Sequence, residues 1–345
     1  MKLFKNILII ALGVMLVSSC SKETSEFNML AVEGAAAISI ELPEVATVRG
    51  VDVPGVGHED HIKNLKILLF NTATGAIDRI FDIDPTQSIV GDDKWDNTTK
   101  TLTIANMSYM GTPRDVYVVA NWDIATEDLA KITDRDKLEA AFTELAGQLV
   151  APTKAAPLLM SGKASHTFSF AKALTVKVKR QTVKIELTVA LDPMFAAAYP
   201  DLSCGVAIVE LRNAPTRSYV CEQTAPATPA GNVMLNYAPV AMTQTGSTAA
   251  DYSWTSTFYL YENPAQGTDA PMATYLSLQM PYKDGTSPTV IENYYRFNIT
   301  TADATNPHAT LRNKLYRLKA TVLGFGATTV APAKMNVTTK VARFE

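Results

Sequence analysis

Apolar and polar residues alternate at every second position in run after run of this chain. The last run is the plainest: Met335, Val337, Thr339 and Val341, with Asn336, Thr338 and Lys340 between them. Alternate side chains of an extended strand point to opposite faces, so such a run makes a half-buried strand and not a helix. Its β-branched residues suit that geometry, and no Gly or Pro interrupts it. The segment before it, 324–332, lacks the two-residue turn that would fold the strand straight back, and reads as a loose leader. The backbone donors and acceptors of this strand need a partner sheet. Either its own domain or a second molecule can supply one.

The same period recurs along the chain. Residues 37–42, 64–70, 76–81 and 99–104 alternate, with a turn at Asn71 to Gly75 between the second and third. Residues 115–122 form a short apolar run of the kind buried on both faces. Residues 155–162 read as a Pro-containing loop. The long run 174–189 follows, and then five more strands at 205–212, 256–261, 275–280, 294–299 and 316–322. One stretch breaks the pattern: Leu138, Ala141, Phe142 and Leu145 sit at helical spacing, predicting one notable helix over 129–145 with Thr133 or Asp134 as its cap. A single helix among many short strands covers one face and does not build a βαβ repeat. The expected fold is therefore all-β, two β-sandwich domains meeting near Thr188, with one helix in the first.

At the start of the chain Lys2 and Lys5 precede an apolar core at 7–17, too short to span a membrane comfortably. Ser18, Ser19 and Cys20 follow. Small residues before a cysteine are the pattern of a bacterial lipoprotein signal, with 1–20 as signal peptide and Cys20 as the residue that takes the lipid, palmitate included. Lipid chains would hold the protein on a membrane surface of a bacterial envelope. Residues 51–57 are rich in Gly and Pro and read as an exposed connector, where proteases cut. On the residues alone, Arg49 before Gly50 reads as an ordinary surface arginine.

The net charge of −3, with both signs interspersed, offers no basic stripe for nucleic acid. Besides Cys20 there are two cysteines, Cys204 and Cys221. They form one disulfide in an oxidising compartment or stay as two buried thiols. His58 and His61 are the one knot of metal-ligand types. They follow a Gly-rich stretch and lack the further ligands a stiff metal frame needs, so no metal is expected. Gly324-Phe325-Gly326 lacks the rest of a dinucleotide loop, and no P-loop or Gly-x-Ser-x-Gly elbow occurs. The expectation is no enzyme and no cofactor. Trp254, Tyr259, Tyr261, Tyr294 and Tyr295 are either sheet-face packing or an aromatic platform for glycans. A surface glycan-binding lipoprotein is accordingly the alternative reading, and an envelope hydrolase would require a catalytic constellation in the fold.

An ordered set of landmarks then narrows the choice. After the lipobox come residues 116–121 (Val-Tyr-Val-Val-Ala-Asn), 159–162 (Leu-Met-Ser-Gly), 259–263 (Tyr-Leu-Tyr-Glu-Asn), 293–299 (Asn-Tyr-Tyr-Arg-Phe-Asn-Ile) and the stretch from Leu311 through Arg312, Asn313 and Tyr316 to Gly324 and Gly326. The set resembles the fimbrillin family of the Bacteroidales, the type V pilins similar to the major and minor fimbrial subunits of Porphyromonas. The resemblance implies two transthyretin-like β-sandwich domains, export as an outer-membrane lipoprotein, and display in a cell-surface fimbrium that serves adhesion. It implies a propeptide, 21–49, removed by an Arg-specific or trypsin-like protease between Arg49 and Gly50, leaving domains at 50–188 and 189–345. The strand lost carries Ile38, Ile40 and Leu42. The donor strand, about 333–345, carries Met335, Val337, Thr339, Val341 and Phe344 and enters a neighbouring subunit, giving a head-to-tail homo- or hetero-polymer. The extended tail resembles that of a polymerising stalk subunit.

Overall fold

The computed structural model describes residues 36–43, 58–90, 92–105, 111–169, 173–265, 271–283, 285, 287, 289–327 and 335–343. In chain order the first part holds strands β1 (Ala36–Glu41), β2 (Leu65–Asn71), β3 (Ile77–Ile83), β4 (Ile89–Val90), β5 (Asp93–Asp96), β6 (Thr101–Ile104) and β7 (Pro113–Ala120). Helices α1 (Thr126–Leu129) and α2 (Arg135–Ala140) come next, then β8 (Phe142–Glu144), β9 (Met160–Thr167), β10 (Leu174–Lys177) and β11 (Lys179–Arg180). The second part opens with β12 (Thr182–Leu191) and α3 (Pro193–Ala198). After it run β13 (Ser203–Cys204), β14 (Ile208–Arg212), β15 (Ala214–Pro215), β16 (Arg217–Tyr219), β17 (Met234–Leu235), β18 (Val240–Ala241) and β19 (Thr243–Thr245). The last strands are β20 (Ser253–Tyr261), β21 (Tyr275–Lys283), β22 (Ile291–Asn298), β23 (Lys314–Val322) and β24 (Met335–Arg343).

The fold is all-β, as the alternation predicts. In the first sandwich the sheet β10-β1-β6-β5-β4 faces the sheet β11-β9-β7-β2-β3. Their inner faces meet in a core of Ile38, Leu65, Ile67, Leu69, Trp95, Leu102, Val116, Val118 and Val176. In the second sandwich the sheet β19-β20-β12-β23-β24 faces β13-β21-β14-β18, to which β22 adds by pairing with β21. Every inward residue of β12, from Val183 through Ile185, Leu187 and Val189 to Leu191, enters this second core beside Trp254, Leu278, Tyr295 and Leu318.

The apolar run at 115–122 is buried on both faces. Val116 and Val118 point into the first core, while Tyr117 and Val119 join Leu68 and Phe70 in a separate cluster on the outer face of the sheet. That cluster is roofed by Leu129, Ile132 and Leu138 of the helical segment and by Val220 and Cys221 from the second part of the chain.

The single helix expected over 129–145 is two short ones, and it stops early. Asp134 does cap α2, its carboxylate accepting from the Lys137 amide at 2.9 Å. At Ala141 the backbone turns extended, with ψ of 138°. Residues Phe142–Glu144 then pair antiparallel with Arg217–Tyr219. Tertiary pairing overrides the local period here, because the β8 backbone finds cross-strand partners that a longer helix would forgo. Helix α3 was legible and missed: Asp192 accepts from the Met194 and Phe195 amides, and Pro193 occupies the first turn. The loop read at 155–162 ends sooner as well, since Met160 to Gly162 already belong to β9.

The chain passes from one pair of sheets to the other at Arg180–Thr182, ahead of Thr188, which lies within β12. Polar side chains weld this junction. The Gln181 amide donates to the Ser218 and Tyr219 carbonyls at 3.1 and 2.9 Å. The Arg180 guanidinium, fully buried, donates to the Glu59 carbonyl at 3.0 Å. The Glu59 carboxylate takes the Lys184 ammonium at 2.8 Å and the Tyr259 hydroxyl at 2.5 Å. Nearby, Arg312 Nε donates to Glu262 Oε1 at 2.7 Å, and Arg312 Nη2 reaches Ser218 Oγ and the Tyr219 carbonyl. Both side chains of that ion pair are only 4% exposed. Removing one member of such a pair strands the other charge in the interior. We therefore expect Arg312→Met to lower stability by about 3–5 kcal/mol in urea unfolding.

Candidate functional site

Strand β1 lies inside its sheet, flanked by a strand on either side. It pairs parallel with β10, setting Ile38 beside Leu174 and Ile40 beside Val176. On its other edge it pairs antiparallel with β6, setting Ala36 beside Ile104 and Ile38 beside Leu102. The Ile40 amide donates to the Lys100 carbonyl at 2.9 Å, and the Val178 amide to the Glu41 carbonyl at 3.0 Å. On the outer face Ser39 Oγ and Thr101 Oγ1 lie 3.0 Å apart, and Lys177 meets Glu41 at 2.9 Å. Inward, Ala36, Ile38 and Ile40 are buried in the core and Leu42 packs against it half-buried. Gly162 lets β9 press close behind: a Cβ there would overlap the Lys177 carbonyl of β10. Without β1, two strand edges and an apolar trough would lie open.

Strand β24 stands in a contrasting position. It is the outermost strand of its sheet and pairs antiparallel with β23 from Met335 opposite Val322 to Arg343 opposite Lys314. Met335, Val337 and Thr339 are half-buried, Val341 is 39% exposed, and Asn336, Thr338 and Lys340 face solvent. Met335 and Val337 touch the second core, and Ala342 touches the small cluster of Leu158, Tyr259 and Leu315. In the isolated chain the strand is thus seated on its own domain. The described start of the leader, 324–327, is tied down: Ala327 and Tyr294 exchange two backbone hydrogen bonds.

The other candidates fall out differently. Cys20, Arg49, Gly50 and Phe344 lie outside the described residues. Cys204 and Cys221 are both free thiols in different clusters, Cys204 beside the second core and Cys221 in the outer cluster of the first sheet. The disulfide does not form between these positions. Burial pushes each thiol up to about 12, so neither is a ready thiolate. The five aromatic residues do not make an exposed platform: Trp254, Tyr259, Tyr261 and Tyr295 are buried, and Tyr294 is half-buried. Among the described residues no group of three or more His, Cys, Asp or Glu converges as for a metal. His58 and His61 stack edge to face with centroids 6.2 Å apart, while Glu59 between them is committed to Lys184.

A cavity of about 600 Å³ opens where β1 ends, lined by Leu42, Lys177, Glu222, Arg312 and Asn313. It continues the line of the strand toward the domain junction, and sequence reasoning did not find it because its walls come from five separate segments.

Comparison with known proteins follows this geometry. Residues 36–189 match the family model described as major fimbrial subunit protein (FimA), a span that begins at β1 and covers the first sandwich. A search of curated protein sequences found no match. Among solved structures the chain is similar to a Parabacteroides distasonis protein assigned to cell adhesion, with a TM-score of 0.60 and 14% identity over 90% of this chain and 96% of that one. It is similar to a fimbrilin of Porphyromonas gingivalis, with a TM-score of 0.55 and 16% identity over 90% and 97%. A third likeness is to the tip fimbrial protein Mfa3 of Porphyromonas gingivalis with C-terminal truncation, with a TM-score of 0.53 and 15% identity over 90% and 99%. At these identities the likeness is one of fold.

The two strands should answer differently to truncation. In the uncut chain Ile38→Ala should cost about 2–5 kcal/mol, because Ile38 is wholly buried. Val341→Ala, on the exposed edge, should cost about 0.5 kcal/mol or less. Chemical denaturation of the two variants measures the contrast.

Proposed function

We propose that this chain is a structural, non-enzymatic subunit of cell-surface fimbriae of the Bacteroidales fimbrillin kind, a reading supported by the match of residues 36–189 to the major fimbrial subunit model, and that it assembles as follows. The chain is exported as a lipoprotein on Cys20 and reaches the outer membrane with β1 in place. An Arg-specific or trypsin-like protease cuts between Arg49 and Gly50, and β1 departs with the propeptide, 21–49. The mature subunit is then two domains, and strand β24 of a neighbouring fimbrial subunit, extended to Phe344, fills the vacated position. The product is a head-to-tail fibre that serves adhesion.

One observation carries the reading. The strand upstream of Arg49 is central and buried, while β24 is an edge strand of the same period in which residues 335–342 are half-buried or exposed. Ala36, Ile38, Ile40 and Leu42 on one match Met335, Val337, Thr339 and Val341 on the other, side chain for side chain along one face. Moving β24 from edge to centre exchanges one hydrogen-bonded ladder for two. Each added backbone bond is worth about 0.5–1.5 kcal/mol net. Each apolar side chain taken from exposed to covered adds up to about 1.5–3 kcal/mol, against the entropy of ordering the arm in a new place. The contact joins unlike surfaces, so it propagates and does not close on a two-fold axis.

Two variants test this. Arg49→Ala should leave uncut monomers, and deletion of residues 334–345 should give subunits that are cut but form no fibres, as seen by electron microscopy of the cell surface. Fibres of normal length from the deletion variant would show that β24 is only the second domain's own last strand.

A further inference from the structure

The root of the arm is held more firmly than the arm. Phe325 sits in an aromatic cage, its ring centroid 5.2 Å from Phe195, 5.0 Å from Tyr199 and 5.8 Å from Tyr282, all edge to face. The Tyr295 hydroxyl donates to the Gly324 carbonyl at 3.0 Å. A Cβ on Gly326 would stand 2.7 Å from the Tyr294 carbonyl oxygen and 3.0 Å from the Tyr295 ring, so the close approach requires glycine. Two backbone bonds to Tyr294 complete the attachment at Ala327. When β24 leaves β23, the chain is therefore still fixed to its own second domain up to Ala327.

Apolar side chains stand uncovered around that root. Met194 is 83% exposed, Leu323 49% and Tyr199 37%. They share one end of the domain: the Asp192 amide donates to the Val322 carbonyl at 2.9 Å, which seats α3 against the end of β23 beside Leu323. This end points away from the first domain, because β12 and β23 run parallel outward from the junction to Leu191 and Val322. Uncovered apolar groups gathered on a rimmed surface mark contact sites in soluble proteins.

Chain length says what covers them. Ala327 and Met335 are eight residues apart, which spans at most roughly 26–29 Å. A molecule that holds residues 335–343 in its β1 position must lie within that distance of the root. The first domain of the same chain already blocks the other end. We infer that Met194, Tyr199 and Leu323 form a docking face for the second copy of this chain that receives the arm, against the end of its first domain nearest the open strand position. This rests on the strand-exchange reading above and adds to it a second contact that fixes the angle between successive subunits.

The test uses Arg49→Ala chains as donors, which offer an arm and cannot accept one, and wild-type subunits cut after Arg49 as acceptors. Arg49→Ala with Met194→Asp and Leu323→Asp should bind acceptors at least tenfold more weakly than Arg49→Ala alone. Thermal midpoints of the two donors should agree, since both replaced side chains face solvent. The milder Leu323→Ser should weaken binding in the same direction if the double change disturbs folding. A synthetic peptide of residues 333–345, which carries the strand without the face, runs alongside. Peptide binding together with equal affinity of all donors would overturn the docking face and leave strand exchange standing. Failure of both the peptide and the Arg49→Ala donor to bind would overturn the two together.

Discussion

A central position in a β-sheet has two rows of hydrogen-bonding groups and one apolar face to satisfy at once, and nothing but another strand meets all three. In this chain that position lies between β10 and β6, and β1 fills it. The first core is built around it: Ile38 has no exposed surface, and Trp95, Leu102, Phe168 and Val176 pack where it points. Buried backbone groups left unpaired are costly, so the position cannot stand empty for long in a stable protein. The demand is for a strand with apolar residues at alternate positions, not for a particular sequence. That tolerance is what makes exchange between molecules chemically reasonable.

A domain that gives up a central strand also needs its remaining parts held. The junction supplies this from groups that do not belong to β1. Glu59, just beyond the connector, is tied across the boundary to Lys184 and Tyr259. Desolvation and the neighbouring carboxylate both raise the Tyr259 hydroxyl above its ordinary range, so it stays a proton donor to Glu59. The β8–β16 pair and the roof of Val220 and Cys221 add contacts from the second part of the chain to the first. None of these contacts requires β1. The new start of the chain at Gly50 would thus be followed, within a few residues, by a segment anchored to both domains.

Much of this was legible in the residues, and the failures share a cause. Period-two alternation marked the long strands because side chains of half-buried strands must alternate, and the heavily apolar 115–122 run proved to be buried on both faces for the same reason. The end of α2 was misjudged because Phe142 and Thr143 keep a helical spacing while their backbone pairs with Ser218 and Tyr219, some seventy-five positions away. The aromatic residues were ambiguous because a strand tyrosine looks alike in a core and on a platform until burial is known. The cavity beyond Leu42 and the cage around Phe325 draw walls from distant segments, which no local pattern encodes. The buried Arg312–Glu262 pair belongs with these: each residue alone reads as a surface charge.

Strands β1 and β24 are restrained in different ways, and in the proposed assembly that difference would order the steps. A covalent connector keeps β1 beside its position, so a competing strand faces an occupant at very high effective concentration. Acceptance would then be closed until a peptide bond is cut. Strand β24 is retained by one ladder and a half-covered face, with polar Asn336, Thr338 and Lys340 on the outside to discourage edge pairing before its turn. In the proposed exchange, donation would be an equilibrium opening that ends at the pinned Ala327, while acceptance would be an irreversible step. Under that asymmetry a subunit would be able to offer its arm at any time but to receive one only after proteolysis. On the proposed scheme growth would be confined to places where cut subunits are present, and uncut chains would stay single even though each carries both halves of the contact.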